Sequence, residues 1–368
     1  MNIHSIKLSI ISMPLKAPFS SHLETVTERE AIIVEVTGKD GFQGYGEGVA
    51  FSSPWYTEET VNTSYHMLKD YLIPLLKQSP AQHPLEVIDR FSVFRRNHMA
   101  KAALETALWD LHAKRQNVTL SNLLGSNASE IPAGVVVATS SLPEAIKQTE
   151  NYLAEGYTRV KIKISPENDL VYVPELRKRF PSLVLMADAN SAYSLEDIDR
   201  LKALDEYNLL MIEQPLAFDD IVDHSVVQRE LTTPICLDES IVTFDDARKA
   251  VQLGSCKVIN IKIGRVGGLA TAKRIHDFCK EKGIPVWCGG MIEFGISRAH
   301  NIALASLPGF TIPGDISGSN RYWDEDIIDP EVKVKNGYIS IPKESGIGFQ
   351  INKERMKKVT IHEEIFLF

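Results

Sequence analysis

Short apolar runs alternate with longer amphipathic stretches through residues 133–315. The runs are rich in β-branched residues and have the length of buried strands, whereas the stretches between them repeat apolar residues with a helical period. The pattern predicts eight strands, at 133–138, 158–164, 183–188, 209–213, 234–238, 258–262, 285–288 and 310–315. It predicts helices between them, at 142–155, 171–180, 195–204, 220–231, 244–253, 269–282 and 295–306. Ser194 and Thr243 are the predicted N-caps of two of these helices.

Strands and helices in strict alternation are typical of a closed parallel barrel, here of the (β/α)7β type, a modified TIM barrel. The rival structure is an open, doubly wound sheet. That fold usually has a glycine-rich turn after its first strand, and the segment A-T-S-S-L at 138–142 contains no glycine. We therefore predict an α/β protein with a barrel catalytic domain over residues 126–325.

The first 125 residues follow another order, with strands first and helices afterwards. Strands are predicted at 3–13, 31–37 and 43–50, and helices at 57–76, 84–94 and 100–114. This order predicts a small α+β domain over residues 1–125 that caps the barrel. The segment 326–368 is short and mixed, and we expect it to pack back on the capping domain.

Composition restricts the class of protein and its partners. The chain has 368 residues, 44% of them hydrophobic and 24% charged, which fits a globular protein with a large core. A net charge of −8 argues against nucleic acid or an anionic membrane as a partner. The apolar runs are too short to span a bilayer.

Neither the N-terminus nor the cysteines indicate export. The apolar run at 8–13 is brief and is followed by Pro14, Leu15 and Lys16 rather than by a small-residue cleavage site. The four cysteines show no C-x-x-C spacing, and Cys236 and Cys288 lie in strand-like runs, where buried free thiols are expected. We expect a cytoplasmic protein.

Charged residues end five consecutive predicted strands, and they recur every 24 or 25 residues: Lys163, Asp188, Glu213, Asp238 and Lys262. A βα unit of that length returns the chain to the same height one strand further round the barrel. The side chains should therefore form a ring at the carboxyl-terminal end of the barrel, where barrel active sites lie. One charged strand end needs no explanation, but five in succession are costly to bury unless they are paired or bind a ligand.

The three carboxylates in this ring offer only oxygen ligands. Such a site suits Mg²⁺ or another hard divalent cation such as Mn²⁺, whereas zinc favours nitrogen and sulfur. None of the ten histidines ends a predicted barrel strand. A ring of salt bridges between carboxylates and lysines is the structural alternative.

Lysines flank the carboxylates on both sides, which indicates acid–base chemistry. Lys161 and Lys163 lie two residues apart on a strand and so face the same side. Their like charges should lower the pKa of one of them, and Arg265 should act similarly on Lys262. Two bases on either side of a divalent metal fit removal of a proton next to a substrate carboxylate, with the metal holding the enediolate.

At these residues the chain resembles the muconate-lactonizing group of the enolase superfamily. The motifs are K-I-K at 161–163, D-A-N at 188–190, I-E-Q-P-L at 212–216, L-D-E-S at 237–240 and N-I-K-I-G-R-V-G-G at 260–268. They are specific as a set and weak singly, and the resemblance spans essentially the whole chain. Five further segments are similar to the subgroup of o-succinylbenzoate synthases and N-succinylamino acid racemases, at 50–60, 287–291, 297–308, 313–317 and 321–323.

The resemblance implies a role for each group of residues. Asp188, Glu213 and Asp238 would bind Mg²⁺, Lys163 and Lys262 would form the catalytic pair, and Lys161 would assist electrostatically. The residues implied to contact the substrate are Ser52, Gly289, Gly290 and Met291, although the two glycines would also suit a plain strand-to-loop turn. Those expected to support the site from behind are Asn190, Glu239 and Arg265. Strand alternation points Glu239 away from the barrel interior, so a structural pairing is about equally expected for it.

The implied reactions need the same metal ion and the same two lysines. A synthase, which is a carbon–oxygen lyase of menaquinone biosynthesis, dehydrates 2-succinyl-6-hydroxy-2,4-cyclohexadiene-1-carboxylate to o-succinylbenzoate. Lys163 would take the α-proton and then protonate the departing hydroxyl, while Lys262 stabilises the intermediate. A racemase would use one lysine to remove the proton and the other to return it, and one protein could have both activities. A dipeptide epimerase is the next candidate.

Two positions depart from the family pattern. Ile263 stands where a proline is common, which should alter only loop rigidity. Phe294 stands where a small polar residue is common, and we expect it to enlarge a side chain near the pocket. The loops at 15–28 and 51–57 are expected to close over the barrel end, with Trp55 and Tyr56 either lining the pocket or packing within the capping domain.

Two other classes of protein remain as alternatives. A Schiff-base enzyme would use Lys163 or Lys262 to attack a carbonyl, but it leaves the carboxylates unexplained. A silent binding paralogue is not indicated, because all five ring residues are present. The expected partners are a small-molecule carboxylate substrate and further copies of the chain in a homo-oligomer.

Overall fold

A computed structural model describes residues 1–20, 23–139 and 141–368. In this part of the chain, seven parallel strands form one curled sheet in sequence order. They are β5 (Gly134–Val137), β6 (Arg159–Lys163), β7 (Val184–Asp188), β8 (Ile212–Glu213), β9 (Ile235–Leu237), β10 (Val258–Ile261) and β11 (Val286–Cys288). The predicted fold class, an α/β barrel with an N-terminal α+β domain, is confirmed.

The eighth predicted strand, 310–315, does not form a regular strand. Phe310 makes an isolated bridge to Val286 of β11, and Gly314 makes another to Ala133, next to β5. The segment therefore lies between the first and last strands of the sheet and completes the barrel. Pro313 lacks the backbone N–H that a ladder needs, which accounts for the interruption.

The barrel helices lie close to their predicted positions. They are α6 (Leu142–Ala154), α7 (Asp169–Arg179), α8 (Ile198–Ala203), α9 (Val222–Glu230), α10 (Phe244–Leu253), α11 (Leu269–Glu281) and α12 (Gly295–Ala305). Helix α8 is short because 3-10 turns at Leu195–Asp197 and Leu204–Tyr207 flank it. Both predicted N-caps are confirmed, since Ser194 accepts from the Glu196 N–H and Thr243 from the Asp246 N–H.

The capping domain is built on a four-stranded antiparallel sheet of the described residues, in the order β15-β1-β2-β3. These strands are β1 (Ile3–Ser20), β2 (Thr25–Gly38), β3 (Gln43–Gly48) and β15 (Thr360–Leu367). Its helices are α1 (Val61–Met67), α2 (Ile73–Gln78), α3 (Leu85–Phe91), α4 (His98–Arg115) and α5 (Leu120–Leu124), with a π-helical turn at Leu68–Leu72. The predicted helix at 57–76 begins only at Val61, where Thr60 caps it.

The end of the chain returns to this sheet. Strand β15 pairs with β1, so that Phe366 lies opposite Ile6, and it follows α13 (Lys353–Val359). Two small antiparallel pairs precede it: β4 (Glu130–Pro132) with β13 (Tyr338–Ser340), and β12 (Ile328–Asp329) with β14 (Gln350–Ile351). The domain boundaries at residues 125 and 325 stay predictions. Every helix of the described residues is too short or too polar to cross a bilayer.

Two buried glutamates of the capping domain bind the N-termini of barrel helices. Glu47 on β3 accepts from the N–H groups of Phe294 and Ser297 at the start of α12, both at 2.8 Å. Glu105 on α4 accepts from Leu269 and Ala270 at the start of α11, at 2.8 and 3.0 Å. Burial raises the pKa of each carboxyl to about 7. The carboxylates satisfy helix donors that would otherwise be buried without a partner.

Replacing Glu105 with Ala should destabilise the protein, because it leaves these two N–H groups and the indole N–H of Trp109 without their acceptor. We expect the free energy of unfolding in urea to fall by about 2–3 kcal/mol. Glu281→Ala is the matched control, since Glu281 is exposed at the other end of α11 and should change stability little. Equal losses in the two variants would contradict the interpretation.

Candidate active site

The charged strand ends meet at the carboxyl-terminal end of the barrel, as predicted. Lys163 lies opposite Asp188 in the pairing of β6 with β7, and Asp188 lies opposite Glu213 in the pairing of β7 with β8. Asp238 and Lys262 directly follow β9 and β10. The register therefore pairs Lys163, Asp188 and Glu213 across neighbouring strands, and Asp238 and Lys262 lie just beyond the carboxyl ends of the next two strands.

Lys161 lies at the centre of the charged groups. Its ammonium nitrogen is 3.0 Å from Asp188, 2.8 Å from Glu213 and 2.7 Å from Asp315, and the side chain is almost fully buried. Burial alone lowers the pKa of this amine, but the three carboxylates outweigh burial and raise the pKa well above its usual value. For Lys161, the expectation that Lys163 would lower the pKa is wrong, because the carboxylates are closer and more numerous.

Lys163 is linked to Glu239 through the side chain of Asn190. Its Nζ donates to Asp188 Oδ2 at 2.7 Å and to Asn190 Oδ1 at 2.5 Å. The Asn190 amide donates in turn to Glu239 Oε1 at 3.0 Å. Glu239 therefore points toward the site, and the expectation from strand alternation is wrong. Strand β9 ends at Leu237, so alternation no longer applies at Glu239.

Lys262 lies on the other side of Glu213 and contacts a residue of the capping domain. Its Nζ donates to Asp238 Oδ2 at 2.9 Å and to the Tyr56 hydroxyl at 2.7 Å. Arg265 contacts Asp238 Oδ1 and donates to the Tyr56 hydroxyl at 3.3 Å. Burial lowers the pKa of Lys262, yet Tyr56 and Glu239 outweigh it and raise the pKa, so the expected lowering by Arg265 is wrong.

Burial and the lysines act in opposite directions on the carboxylate triad, which consists of Asp188, Glu213 and Asp238. Burial raises the pKa of Asp188, but Lys161 and Lys163 outweigh it and hold that pKa well below its usual range. The pKa of Glu213 is raised, first by burial and then by the charge of Asp188. The triad therefore carries buried negative charge that is balanced from both sides by amines.

The donor chemistry of the triad fits a hard divalent cation. Its ligands are all oxygens on adjacent strand ends, and Glu239 Oε2 and Asn260 Oδ1 nearby accept no hydrogen bond among the described residues. As the side chains stand, amines contact the triad oxygens, and no three Asp, Glu, His or Cys side chains in the described ranges are grouped closely enough to hold an ion. Asp188, Glu213 and Asp238 are therefore suited to Mg²⁺ by chemistry, and their role as ligands stays a prediction.

A small cavity of about 60 Å³ opens onto these groups. Its lining combines Lys163, Asp188 and Lys262 of the charged ring with side chains of the capping domain. The capping side chains are Phe19, Phe51, Trp55 and Tyr56. The predicted closure of the barrel end by the 51–57 loop is thus seen in the position of Trp55 and Tyr56. Of the loop predicted at 15–28, residues 21 and 22 lie outside the described residues. Larger cavities lie elsewhere, such as one of about 590 Å³ on the capping sheet, but that one does not border the ring.

The residues implied to contact substrate divide into two groups. Gly290 and Met291 line the cavity, and a Cβ atom at Gly289 would lie 2.7 Å from Lys262 Cε, so that position must stay small. Ser52 does not reach the cavity. Its hydroxyl donates to Glu30 at 2.9 Å on the surface, and its contact with substrate stays a prediction.

Phe294, the departure from the family pattern, does not border the cavity either. Its ring is fully buried and stacks on Trp323 with 4.4 Å between centroids. The expectation that Phe294 enlarges a pocket side chain is therefore wrong, because its side chain packs into the hydrophobic core. Ile263 is also buried in that core.

Sequence reasoning missed Asp315, Arg159 and the hydroxyl of Tyr56. Asp315 forms ion pairs of 2.7 Å with both Lys161 and Arg159, and it lines the cavity. A signal was present, because Asp315 ends the eighth predicted run just as the other ring residues end theirs. Tyr56 lies in an irregular segment 206 residues away from Lys262, and strand periodicity gives no sign of that contact.

Fold and site together define the class, a capped α/β-barrel enzyme with its charged residues at the carboxyl-terminal end of the strands. Residues 5–125 match the family model of the mandelate racemase/muconate lactonizing enzyme N-terminal domain. Residues 144–355 match the enolase C-terminal domain-like model. The chain belongs to the mandelate racemase/muconate lactonizing enzyme family of the enolase superfamily, which confirms the resemblance.

Several proteins of this family are similar to the chain over nearly its whole length. The o-succinylbenzoate synthase of Bacillus subtilis is 54% identical, with 100% of this chain and 99% of that protein covered. The N-succinylamino acid racemase of Thermus thermophilus is 41% identical, with 98% of each covered. A crystal structure of an enolase-superfamily member from Listeria innocua has a TM-score of 0.97 at 42% identity, covering 100% of this chain and 99% of that one.

Replacing Lys161 with Met should destabilise the protein strongly, because three buried carboxylates then lose a shared counter-charge. We expect the free energy of unfolding, measured in urea with EDTA present, to fall by about 3–5 kcal/mol. Lys101→Met is the matched control. Lys101 is also buried, but its amine contacts the Phe94 carbonyl and no carboxylate within ion-pair distance in the described chain. A loss as large in the control would show that the carboxylates are not the cause.

Proposed function

We propose that this protein is an o-succinylbenzoate synthase. The observation that carries the proposal is the placement of Lys163 and Lys262 on opposite sides of Glu213, each bound to a carboxylate of the triad. The 54% identity to the Bacillus subtilis synthase over the whole chain supports it. The substrate is then 2-succinyl-6-hydroxy-2,4-cyclohexadiene-1-carboxylate, and the products are o-succinylbenzoate and water.

The three lysines of the site have different roles in this reaction. The Lys163 amine accepts the proton from the carbon that bears the carboxylate and then gives that proton to the departing hydroxyl as the C–O bond breaks. Lys262 remains an ammonium and stabilises the negative charge that develops on the substrate carboxylate. Lys161 keeps its charge throughout, because Asp188, Glu213 and Asp315 surround it.

The proposed cofactor is Mg²⁺, with Mn²⁺ as a substitute. Asp188, Glu213 and Asp238 would hold the ion, with Asn190, Glu239 and Arg265 supporting them. When bound, such an ion neutralises the substrate carboxylate and lowers the barrier to removing the adjacent proton. The homo-oligomer and the cytoplasmic location stay predictions.

Purified protein should form o-succinylbenzoate from the cyclohexadiene precursor with Mg²⁺, and the rate should vanish with EDTA. Lys163→Ala should lower kcat by about 10³-fold or more, since the general base is lost. Lys257→Ala is the matched control, because Lys257 is exposed next to β10 at the opposite end of the barrel and should keep the wild-type rate. Folded wild-type protein without a rate above background would refute the synthase.

N-succinylamino acid racemisation is the second candidate activity. It is favoured by Lys262, whose amine faces the triad from the side opposite Lys163 and is charged as a proton donor must be. The relative from Thermus thermophilus gives weaker support at 41% identity.

In D₂O, the wild-type protein should exchange the α-proton of both enantiomers of an N-succinylamino acid, as followed by NMR. Each lysine serves one face, so Lys163→Ala should lose exchange with one enantiomer and Lys262→Ala with the other. Lys257→Ala should exchange both. A wild-type protein that exchanges neither enantiomer would remove the racemase and leave the synthase untouched.

A further inference from the structure

Arg29 on β2 is a buried charge that forms no ion pair with any of the described residues. It is 1% exposed, and within the described ranges no carboxylate oxygen lies within ion-pair distance of its guanidinium. Burial lowers its pKa to about 10, while Glu47 and Glu293 at longer range partly offset that effect. A buried, unpaired guanidinium is expensive, so its hydrogen bonds need an explanation.

The donors of Arg29 contact the carbonyl of the neighbouring Glu30 and the carbonyls of two distant segments. Nη1 donates to Ala50 O at 2.7 Å and Nη2 donates to Val49 O at 2.5 Å. Nε donates to Ile292 O at 3.3 Å, across 263 residues of sequence. The guanidinium plane also lies 4.4 Å from the centroid of the Phe51 ring. One side chain thus joins a segment of the capping domain to a loop of the barrel.

Both segments lead directly into the cavity described above. Residues 49–56, here the first wall, contribute Phe51, Trp55 and Tyr56 to its lining. Residues 291–293, here the second wall, contribute Met291, Ile292 and Glu293. Arg29 lies behind both walls and does not itself line the cavity, so it can act only by placing them.

The second wall has a backbone that needs external support. Ile292 has a φ of +54°, a left-handed conformation that is unfavourable for a β-branched residue. Its carbonyl is the one that accepts from Arg29, and the N–H of the preceding Met291 is bound by the Glu293 carboxylate. These contacts hold the residue in the orientation that presents its side chain to the cavity.

We propose that Arg29 is a positioning residue that sets the separation of the two walls and thereby the binding of the non-reacting part of the substrate. The inference rests on the proposed function for its substrate. The backbone that carries the reacting groups belongs to barrel strands that Arg29 does not contact, since Lys163 ends β6 and Lys262 follows β10. The first wall reaches one of them through the Tyr56 hydroxyl, which accepts from Lys262. Loss of Arg29 should therefore raise KM and the Kd of product far more than it lowers kcat.

The test compares Arg29→Met and Arg29→Lys with Arg177→Met. Arg177 is the matched control, because it also donates to backbone carbonyls, those of Leu183, Tyr207 and Asn208, at the amino-terminal end of the barrel strands. KM and kcat are measured with the cyclohexadiene precursor, and the Kd of o-succinylbenzoate by calorimetry with Mg²⁺ present. Thermal unfolding of every variant shows how much stability each has lost.

For Arg29→Met we expect KM and Kd to rise by about 10-fold or more, with kcat within about threefold of wild type. Arg29→Lys keeps a charge and three donors but not the planar fork, so its values should lie between those of Met and wild type. Arg177→Met should lose stability and keep the wild-type KM and Kd.

Unchanged KM and Kd in the Arg29 variants would overturn the inference, as would a loss of kcat at constant KM or an equal rise in the Arg177 control. If Arg29→Met does not fold, Arg29→Lys alone decides by the same criteria. A wild-type protein that fails to convert the precursor would refute the synthase instead. The Kd of o-succinylbenzoate or of an N-succinylamino acid would then still test the role of Arg29.

Discussion

Buried negative charge at the carboxyl-terminal end of the barrel is the constraint on which the site depends. Asp188, Glu213 and Asp315 all surround one amine, and isolated carboxylates at such depth would take up protons rather than stay charged. Lys161 opposes this effect, so that the pKa values of Asp188 and Asp315 lie below their usual range, and the carboxylates in turn keep Lys161 charged. Because Lys161 already balances the charge of these carboxylates, Lys163 and Lys262 can have different roles in the reaction.

The capping domain is joined to the barrel by polar contacts as well as by the apolar side chains that line the cavity. Tyr56 reaches Lys262 and Asp238, while Glu47 and Glu105 bind the first turns of α12 and α11. These contacts fix how the small domain lies on the barrel, and the cavity wall depends on that placement. A barrel alone would present the charged ring to open solvent, where its interactions would be weak.

The sequence predicted the residues that recur at the ends of successive barrel strands, and it missed features that depend on the direction of a single side chain. The interval of 24 or 25 residues placed Lys163, Asp188 and Glu213 at one level, because parallel pairing converts spacing into height. The place of the Phe294 side chain was mispredicted because similarity of a segment does not say which way a side chain points. Strand alternation gave the wrong direction for Glu239, because alternation ends with the strand. The pKa expectation for Lys161 failed because it omitted the surrounding carboxylates, among them Asp315, whose strand forms only isolated bridges. The pKa expectation for Lys262 failed because it omitted Tyr56 and Glu239.

The incomplete eighth strand has a consequence for how such an enzyme can change over time. Where residues 310–315 join β11 to β5, few backbone hydrogen bonds close the barrel, among them Gly134 N–H to Gly314 O and Asp315 N–H to Cys288 O. Arg159 binds the Pro313 carbonyl there and pairs with Asp315, which in turn pairs with Lys161. Closure of the barrel and charge balance at the site thus share the same side chains. A substitution at this junction would disturb both the closure of the barrel and the charge balance of the site. New substrate preferences should therefore arise more readily in the capping loops, where the sequence can vary without opening the barrel.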